Sequence, residues 1–253
     1  MNATDRLESE RLFHDHQARH RAEHFRRQPG QLFFRDGEYL DHESWIRPAL
    51  DRLGDVGGKQ VLDYGCGHGM AAVALARRGA QVIAFDLSAD YLAEARRRAL
   101  ANSVTIEFVQ ADAHHLPFAD AVFDAIWGNA ILHHLDLTMA GREIYRVLRP
   151  GGVAVFCEPW GGNPFLAWGR RWLPYPGKGR TRDEQPLTVR DLAALREIFP
   201  NLEFHGFQLF SMLHRILGKN SLVTALERCD DWLLRRMPGL AHWCRYAMIV
   251  LRR

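Results

Sequence analysis

The chain has 253 residues, 47% of them hydrophobic and 25% charged, with 33 Lys and Arg against 30 Asp and Glu for a formal charge of +3. That balance excludes a disordered or fibrous chain, and so small a positive excess gives no ground for a nucleic-acid or anionic-membrane partner. Cys66, Cys157, Cys229 and Cys244 stand too far apart for C-x-x-C pairs or a zinc ligand set, so neither a disulfide framework nor a bound metal is expected.

Residues 1–55 are mostly polar and helix-prone. The first thirty residues hold no apolar h-region, and nowhere is there an uncharged apolar run of about 18 residues, which predicts a cytoplasmic protein with no integral membrane association. His16, His20 and His24 share a helical face at a spacing that can chelate a metal, but Arg19, Arg21, Arg26 and Arg27 crowd it, so a solvated face is expected. Apolar positions 45, 46, 49, 50 and 53 mark an amphipathic helix. Short apolar runs at 61–64, 81–85, 104–109, 122–127 and 153–158, rich in Val, Ile and Phe, predict buried strands. Helical patterns lie between them at 68–78, closed by Gly79, at 90–101, and at 137–148, closed by Pro150-Gly151-Gly152. This alternation predicts an α/β, Rossmann-like fold: a doubly wound, mostly parallel sheet with helices on both faces. The Pro- and Gly-rich stretch 159–186, interleaved with Trp160, Phe165, Trp168, Trp172 and Tyr175, predicts an ordered aromatic loop. A helix at 188–199, a strand at 202–209, a helical segment at 211–237 and a terminal strand at 246–251 complete the expected order.

The segment Asp63-Tyr64-Gly65-Cys66-Gly67-His68-Gly69 closes the first strand and opens a helix. There open α/β sheets bind nucleotide-like ligands, and glycines let the backbone come close to them. The third glycine of a dinucleotide G-x-G-x-x-G falls on Met70, and no Lys follows as in a phosphate-cradling loop. Asp86 ends the second strand 21 residues after Gly65, where a carboxylate can accept from both hydroxyls of a ribose. Asp112 follows the third strand and can accept from an adenine amino group. Together these residues suit a ligand with a ribose, an adenine and a cationic tail, and require no phosphate.

With these residues the chain resembles the class I S-adenosylmethionine-dependent methyltransferases of the small-molecule type. The likeness covers roughly 45–160, through 61–69, Phe85-Asp86-Leu87-Ser88, 111–118, Phe123-Asp124, Leu132-His133-His134-Leu135 and 147–152. It implies S-adenosyl-L-methionine as cofactor and S-adenosyl-L-homocysteine as product. The cofactor-binding set it implies is Asp63, Gly65, Cys66, Gly67, Gly69, Asp86, Leu87, Asp112, Ala113 and Asn129. In that set Asp63 and Gly65 border the methionyl part, Asp86 the ribose, Asp112 and Ala113 the adenine, and Asn129 the pocket at the end of the fourth strand. Cys66 and His68 occupy variable positions of the pattern, so their side chains are assigned no chemistry.

His133 and His134, just past the fourth strand, are candidate bases for an acceptor hydroxyl or thiol, against a plain packing role. Asp124 reads as a structural acceptor of N–H groups. The expected reaction is methyl transfer to an O, N, S or C nucleophile of a small-molecule acceptor. The expected division is one domain: an N-terminal helical lid at 1–55 with Phe13, Phe33, Phe34 and Tyr39 beneath it, a cofactor-binding core at 56–158, and a substrate-side insertion with the final strands at 159–253. An NAD(P)-dependent oxidoreductase on the same fold is opposed by Met70 and by the lack of a Y-x-x-x-K pair. A non-catalytic cofactor-binding protein is the other alternative. A nucleic-acid methyltransferase is opposed by Gly128-Asn129-Ala130-Ile131 where N-P-P-Y or D-P-P-Y would stand. The segment around Leu226, Trp232, Leu233, Leu234, Arg235 and Arg236 reads as a solvent-facing amphipathic helix, with peripheral lipid contact the lesser reading.

Overall fold

The computed structural model describes residues 3–166, 168, 185–218 and 220–253. Seven strands form one sheet: β1 (Gln60–Tyr64), β2 (Gln81–Asp86), β3 (Glu107–Gln110), β4 (Phe123–Asn129), β5 (Leu148–Pro159), β6 (Glu203–Phe207) and β7 (Tyr246–Arg252), in the order β3-β2-β1-β4-β5-β7-β6. The first five pair parallel, and β7 runs antiparallel to both β5 and β6. Strands buried on both faces must be apolar at odd and even positions alike. In β4, Ala125 and Trp127 enter one core while Phe123 and Ile126 enter the other; in β5, Val153 and Val155 oppose Ala154 and Phe156. Sequence order reverses between β1 and β4, which opens a crevice at their carboxyl ends.

Helices α1 (Ala3–Arg27), α2 (Asp36–Leu40), α3 (Ile46–Asp51), α4 (Met70–Arg77), α5 (Ala89–Ala101), α6 (Leu137–Val147), α7 (Val189–Ile198), α8 (His214–Leu217) and α9 (Ser221–Arg236) fill the connections. Their starts have local causes. The Ser88 side chain accepts from the Tyr91 amide at the head of α5, and Asp136 accepts from Thr138 and Met139 at the head of α6. The helix expected from position 68 begins instead at Met70, because Gly65, Gly67 and Gly69 all take positive φ, at 70°, 50° and 79°. At Gly69 a Cβ would also lie 2.8 Å from the Ala95 Cβ on α5. Gly69→Ala is therefore expected to lower stability by roughly 2–4 kcal/mol, combining left-handed strain with overpacking. Urea denaturation checks this, and a loss under about 1 kcal/mol would contradict the packing argument.

Two strands differ from expectation. β3 starts at Glu107, because Ser103 turns the chain at φ 55° and leaves Val104 and Ile106 packing from a loop. β5 absorbs Leu148–Gly152, since Leu148 already pairs with Phe123 across a bulge. The polar N-terminal stretch opens with the long helix α1, which is bound to α5: Arg19 pairs with Asp90 at 2.7 Å, Arg21 with Glu94 at 3.0 Å, and the Tyr91 hydroxyl donates to Gln17. His16, His20 and His24 are exposed on it. Trp160 is buried and donates to the His242 carbonyl, whereas Phe165 and Trp168 are exposed; Trp172 and Tyr175 of the expected aromatic loop lie outside the described residues. Among the described residues no helix is long and apolar enough to cross a membrane.

Candidate active site

A cavity of about 790 Å³ opens at the carboxyl ends of β1, β2 and β4. It is large enough for a nucleoside-sized ligand with a second small molecule beside it. The glycine turn forms its floor. Gly65 and Gly67 line it through their backbone, and a Cβ on Gly65 would come within 2.7 Å of Ile131. The Cys66 amide donates to the Phe85 carbonyl, and burial pushes its thiol well above its ordinary pKa, so it lines the site as an inert group. Gly69 does not line the cavity. It ends the turn and makes room for Ala95, a role that the G-x-G-x-G pattern alone does not reveal.

Asp63 is buried at the end of β1. Burial pushes its carboxyl up to about 7, with the Asp86 charge adding to the rise and the Ala72 amide opposing it. Asp86 lies across the floor, its Oδ2 accepting from the Gly67 amide at 2.8 Å and its Oδ1 from the Ser88 amide at 2.9 Å. Burial raises its carboxyl, while those two amides and His14 pull it down. Leu87, Ala113 and Asn129 also line the cavity, and the Ala113 carbonyl accepts from the Tyr64 hydroxyl at 2.8 Å. Asp112 lies on the rim, where it accepts from the His114 amide and ring at 2.9 Å each, with the His115 ring at 3.4 Å. Burial opposes its charge, but these partners outweigh it and lower its carboxyl.

The two candidate histidines part company. His133 is buried and turned away from the cavity, its Nδ1 2.7 Å from Glu158 Oε2. Glu158, fully buried, also accepts from the Ile131 and Leu132 amides through Oε1 at 2.9 Å each. His133 is thus held by Glu158 and is not among the residues that line the cavity. His134 lines the cavity, with Nδ1 3.2 Å from Glu10 Oε2. Asp124 is structural as read: it accepts from the Gln60 amide and pairs with Arg149 at 2.6 Å.

Several lining residues were not singled out in the sequence. Glu10 and His14 come from α1, Tyr91 from α5, His114 and His115 from the turn after β3, and Met139 from α6. The only signal for Glu10 and His14 was their four-residue spacing, which puts them on one helical face. Of the four aromatics expected beneath a lid, Tyr39 lines the cavity; Phe34 is buried beside Arg77 and Phe33 is half exposed over the same guanidinium. Glu10, His14 and His134 also offer three donor atoms within 4.8 Å of one another, a set able to hold a divalent cation.

Residues 62–156 match the methyltransferase domain family. The malonyl-[acyl-carrier protein] O-methyltransferase of Enterobacter lignolyticus is 46% identical over 98 residues, which is 38% of this chain and 38% of that protein. The demethylmenaquinone methyltransferase of Thermus thermophilus is 37% identical over 142 residues, 53% of this chain and 64% of that protein. The chain thus spans less than two thirds of the length of the curated relatives it matches. Geranyl diphosphate C-methyltransferase from Streptomyces coelicolor, solved with Mg²⁺, geranyl diphosphate and S-adenosyl-L-homocysteine, superimposes with a TM-score of 0.57 at 22% identity, covering 82% of this chain and 77% of that one. An S-adenosylmethionine-dependent methyltransferase from Mesorhizobium loti gives 0.57 at 22%, covering 85% and 100%.

Proposed function

We propose, from the premise that residues 62–156 are a methyltransferase domain on the class I methyltransferase fold, that this chain binds S-adenosyl-L-methionine in the cavity and transfers its methyl group to a small-molecule acceptor. The charge of the cavity carries the proposal. Five carboxylates, Glu10, Asp63, Asp86, Asp112 and Asp136, line it, and among the described residues no Lys or Arg does. A ligand bearing a sulfonium and an ammonium fits such a lining, because opposite charge at short range offsets its desolvation. The pyrophosphate of a nicotinamide dinucleotide would face Asp86 and Asp112 with no cation to neutralise it.

In this reading Asp63 faces the ammonium of the methionyl part, Gly65 and Gly67 let the backbone approach it, and Asp86 accepts from the ribose hydroxyls. Leu87, Asp112 and Ala113 flank the adenine, and Asn129 borders the pocket beyond β4. Gly69 serves the turn, and Cys66 contributes backbone alone. The cofactor supplies a methyl group already activated on positively charged sulfur. The chain's own part is to align the acceptor with that methyl, exclude water and, for some acceptors, take a proton.

Calorimetric titration with S-adenosyl-L-methionine, S-adenosyl-L-homocysteine and NADH tests the reading: binding of the two sulfur compounds without NADH supports it, and binding of NADH alone sinks it. The pH dependence is a sharper check. An Asp63 carboxyl near 7, above its ordinary 3.8, holds an extra proton in the folded state between those values. Its contribution to stability is therefore greatest at low pH and is lost as the pH rises through about 7. An ammonium bound beside it favours the carboxylate, so binding at about pH 6 is expected to release a proton, and binding at about pH 8 is not. Titrations in two buffers of different protonation enthalpy read this release, and Asp63→Asn should abolish it.

A further inference from the structure

We propose that Glu10, His14 and His134 form a binding site for a transition-metal dication of the Zn²⁺ type, and that the bound ion fastens α1 to the turn that follows β4. The site goes beyond methyl transfer and stands on its own geometry; only the charge surplus described below leans on the methyltransferase reading.

Two imidazoles and one carboxylate make a borderline donor set. Such a set selects Zn²⁺, Co²⁺ or Ni²⁺ over Mg²⁺ and Ca²⁺, which prefer shells of oxygen. Glu10 and His14 stand four residues apart on α1, the spacing at which two ligands share one face of a helix. His134 comes from the short 3₁₀ turn Leu132–His134 after β4. One donor atom from each residue lies within 4.8 Å of the other two. Both imidazoles close on the same carboxylate oxygen: Glu10 Oε2 is 3.2 Å from His134 Nδ1 and 3.5 Å from His14 Nε2. Bonds of about 2.0–2.1 Å at tetrahedral angles put neighbouring ligand atoms about 3.3 Å apart, so these two edges have nearly the length that a zinc ion requires. Neither the cysteines nor the exposed face of His16, His20 and His24 supplies this set, which forms only when α1 docks on the core.

The surroundings favour a cation there. Glu10 is buried and both imidazoles are half-buried, so an ion held among them is partly withdrawn from water and feels the carboxylate strongly. Among the described residues no Lys or Arg lines the cavity to compete for Glu10. Five carboxylates do line it, whereas S-adenosyl-L-methionine, with a sulfonium and an ammonium against one carboxylate, brings a single net positive charge; a dication offsets part of the surplus. The His14 ring has Tyr91 of α5 against it at 5.8 Å, and the His134 ring has His133 at 4.1 Å, so packing seats both imidazoles. Three protein donors leave a fourth position to water. The polar ties of α1 to α5 and the turn before it, at Asp15, Gln17, Arg19 and Arg21, lie beyond His14 along the helix. An ion at Glu10 and His14 adds a tie nearer the helix start and to a different part of the sheet.

The test is calorimetric titration of the full chain, stripped with EDTA and dialysed, with ZnCl₂ and separately with MgCl₂. The expected result is one tightly bound zinc per chain, with magnesium at least about 100-fold weaker. His14→Ala and His134→Ala are each expected to weaken zinc on the order of 100-fold, at least as much as the loss of an outer-shell partner costs. His20→Ala is the control, because the exposed histidines of α1 have a chelating spacing of their own, and it should change nothing. Zinc should raise the thermal midpoint of the wild type and of His20→Ala but not of His134→Ala, since only the folded chain brings the three donors together. Circular dichroism shows whether each variant is folded; Glu10→Gln, of nearly the same shape, should show the same loss of zinc and keeps the test decisive where an alanine variant fails to fold. No zinc binding by the wild type, magnesium bound as tightly as zinc, or a loss in His20→Ala with none in His134→Ala would each overturn the proposal. Binding of S-adenosyl-L-homocysteine is measured separately: its failure in the wild type would sink the methyltransferase reading and leave the zinc result to judge the site.

Discussion

Replacing Asp86 with Ala is expected to weaken binding of S-adenosyl-L-homocysteine by about 2 kcal/mol, roughly 30-fold, through the loss of charge-assisted hydrogen bonds to a ribose. The structure adds a second reason for a large effect. Asp86 is tied to the floor of the cavity at both oxygens, by Gly67 N at 2.8 Å and Ser88 N at 2.9 Å. The same carboxylate thus fixes the glycine turn and the head of α5 while lining the cavity. Asp86→Asn keeps one carbonyl acceptor and should lose less affinity than Ala. Calorimetry at fixed pH, with circular dichroism to show that the variant is folded, measures both. An affinity unchanged by the Ala substitution would remove Asp86 from the site.

Glu158→Ala is expected to cost about 3–5 kcal/mol of stability, because it strips the partner from a buried backbone amide, a half-buried one and a buried imidazole at once. Those groups sit on the turn that carries Leu132, His133 and His134, so a variant that still folds should also misplace His134. Glu158→Gln retains an acceptor for the amides and is expected to lose only about 1–2 kcal/mol. Urea denaturation separates the two substitutions. A stability for Glu158→Ala within about 1 kcal/mol of the wild type would show that water or a shifted backbone satisfies these groups.

The alternating elements from 60 to 159 and the final strands were legible in the chain, because buried strands and amphipathic helices carry their periodicity in adjacent residues. Asp63, Gly65, Asp86, Asp112 and Asn129 were legible as candidates for the same reason: each stands at or just after the end of a strand, and a doubly wound sheet gathers those ends into one crevice. The boundaries that moved did so where backbone dihedrals overrode side-chain pattern, at the three positive-φ glycines before α4 and at Ser103 before β3.

By itself, then, the sequence determined the fold class, the glycine turn and the acidic strand ends, all of which follow from spacing along a few neighbouring residues. Only the tertiary structure decided the rest. It separated His133 from His134 by burying Glu158 beneath one of them, and it turned Gly69 from a contact for the ligand into space for Ala95. It also brought Glu10 from one end of the chain to within 3.2 Å of His134. No local pattern encodes that meeting, because it depends on Arg19, Arg21 and Gln17 docking α1 onto α5, and contacts between residues over a hundred positions apart are decided by packing.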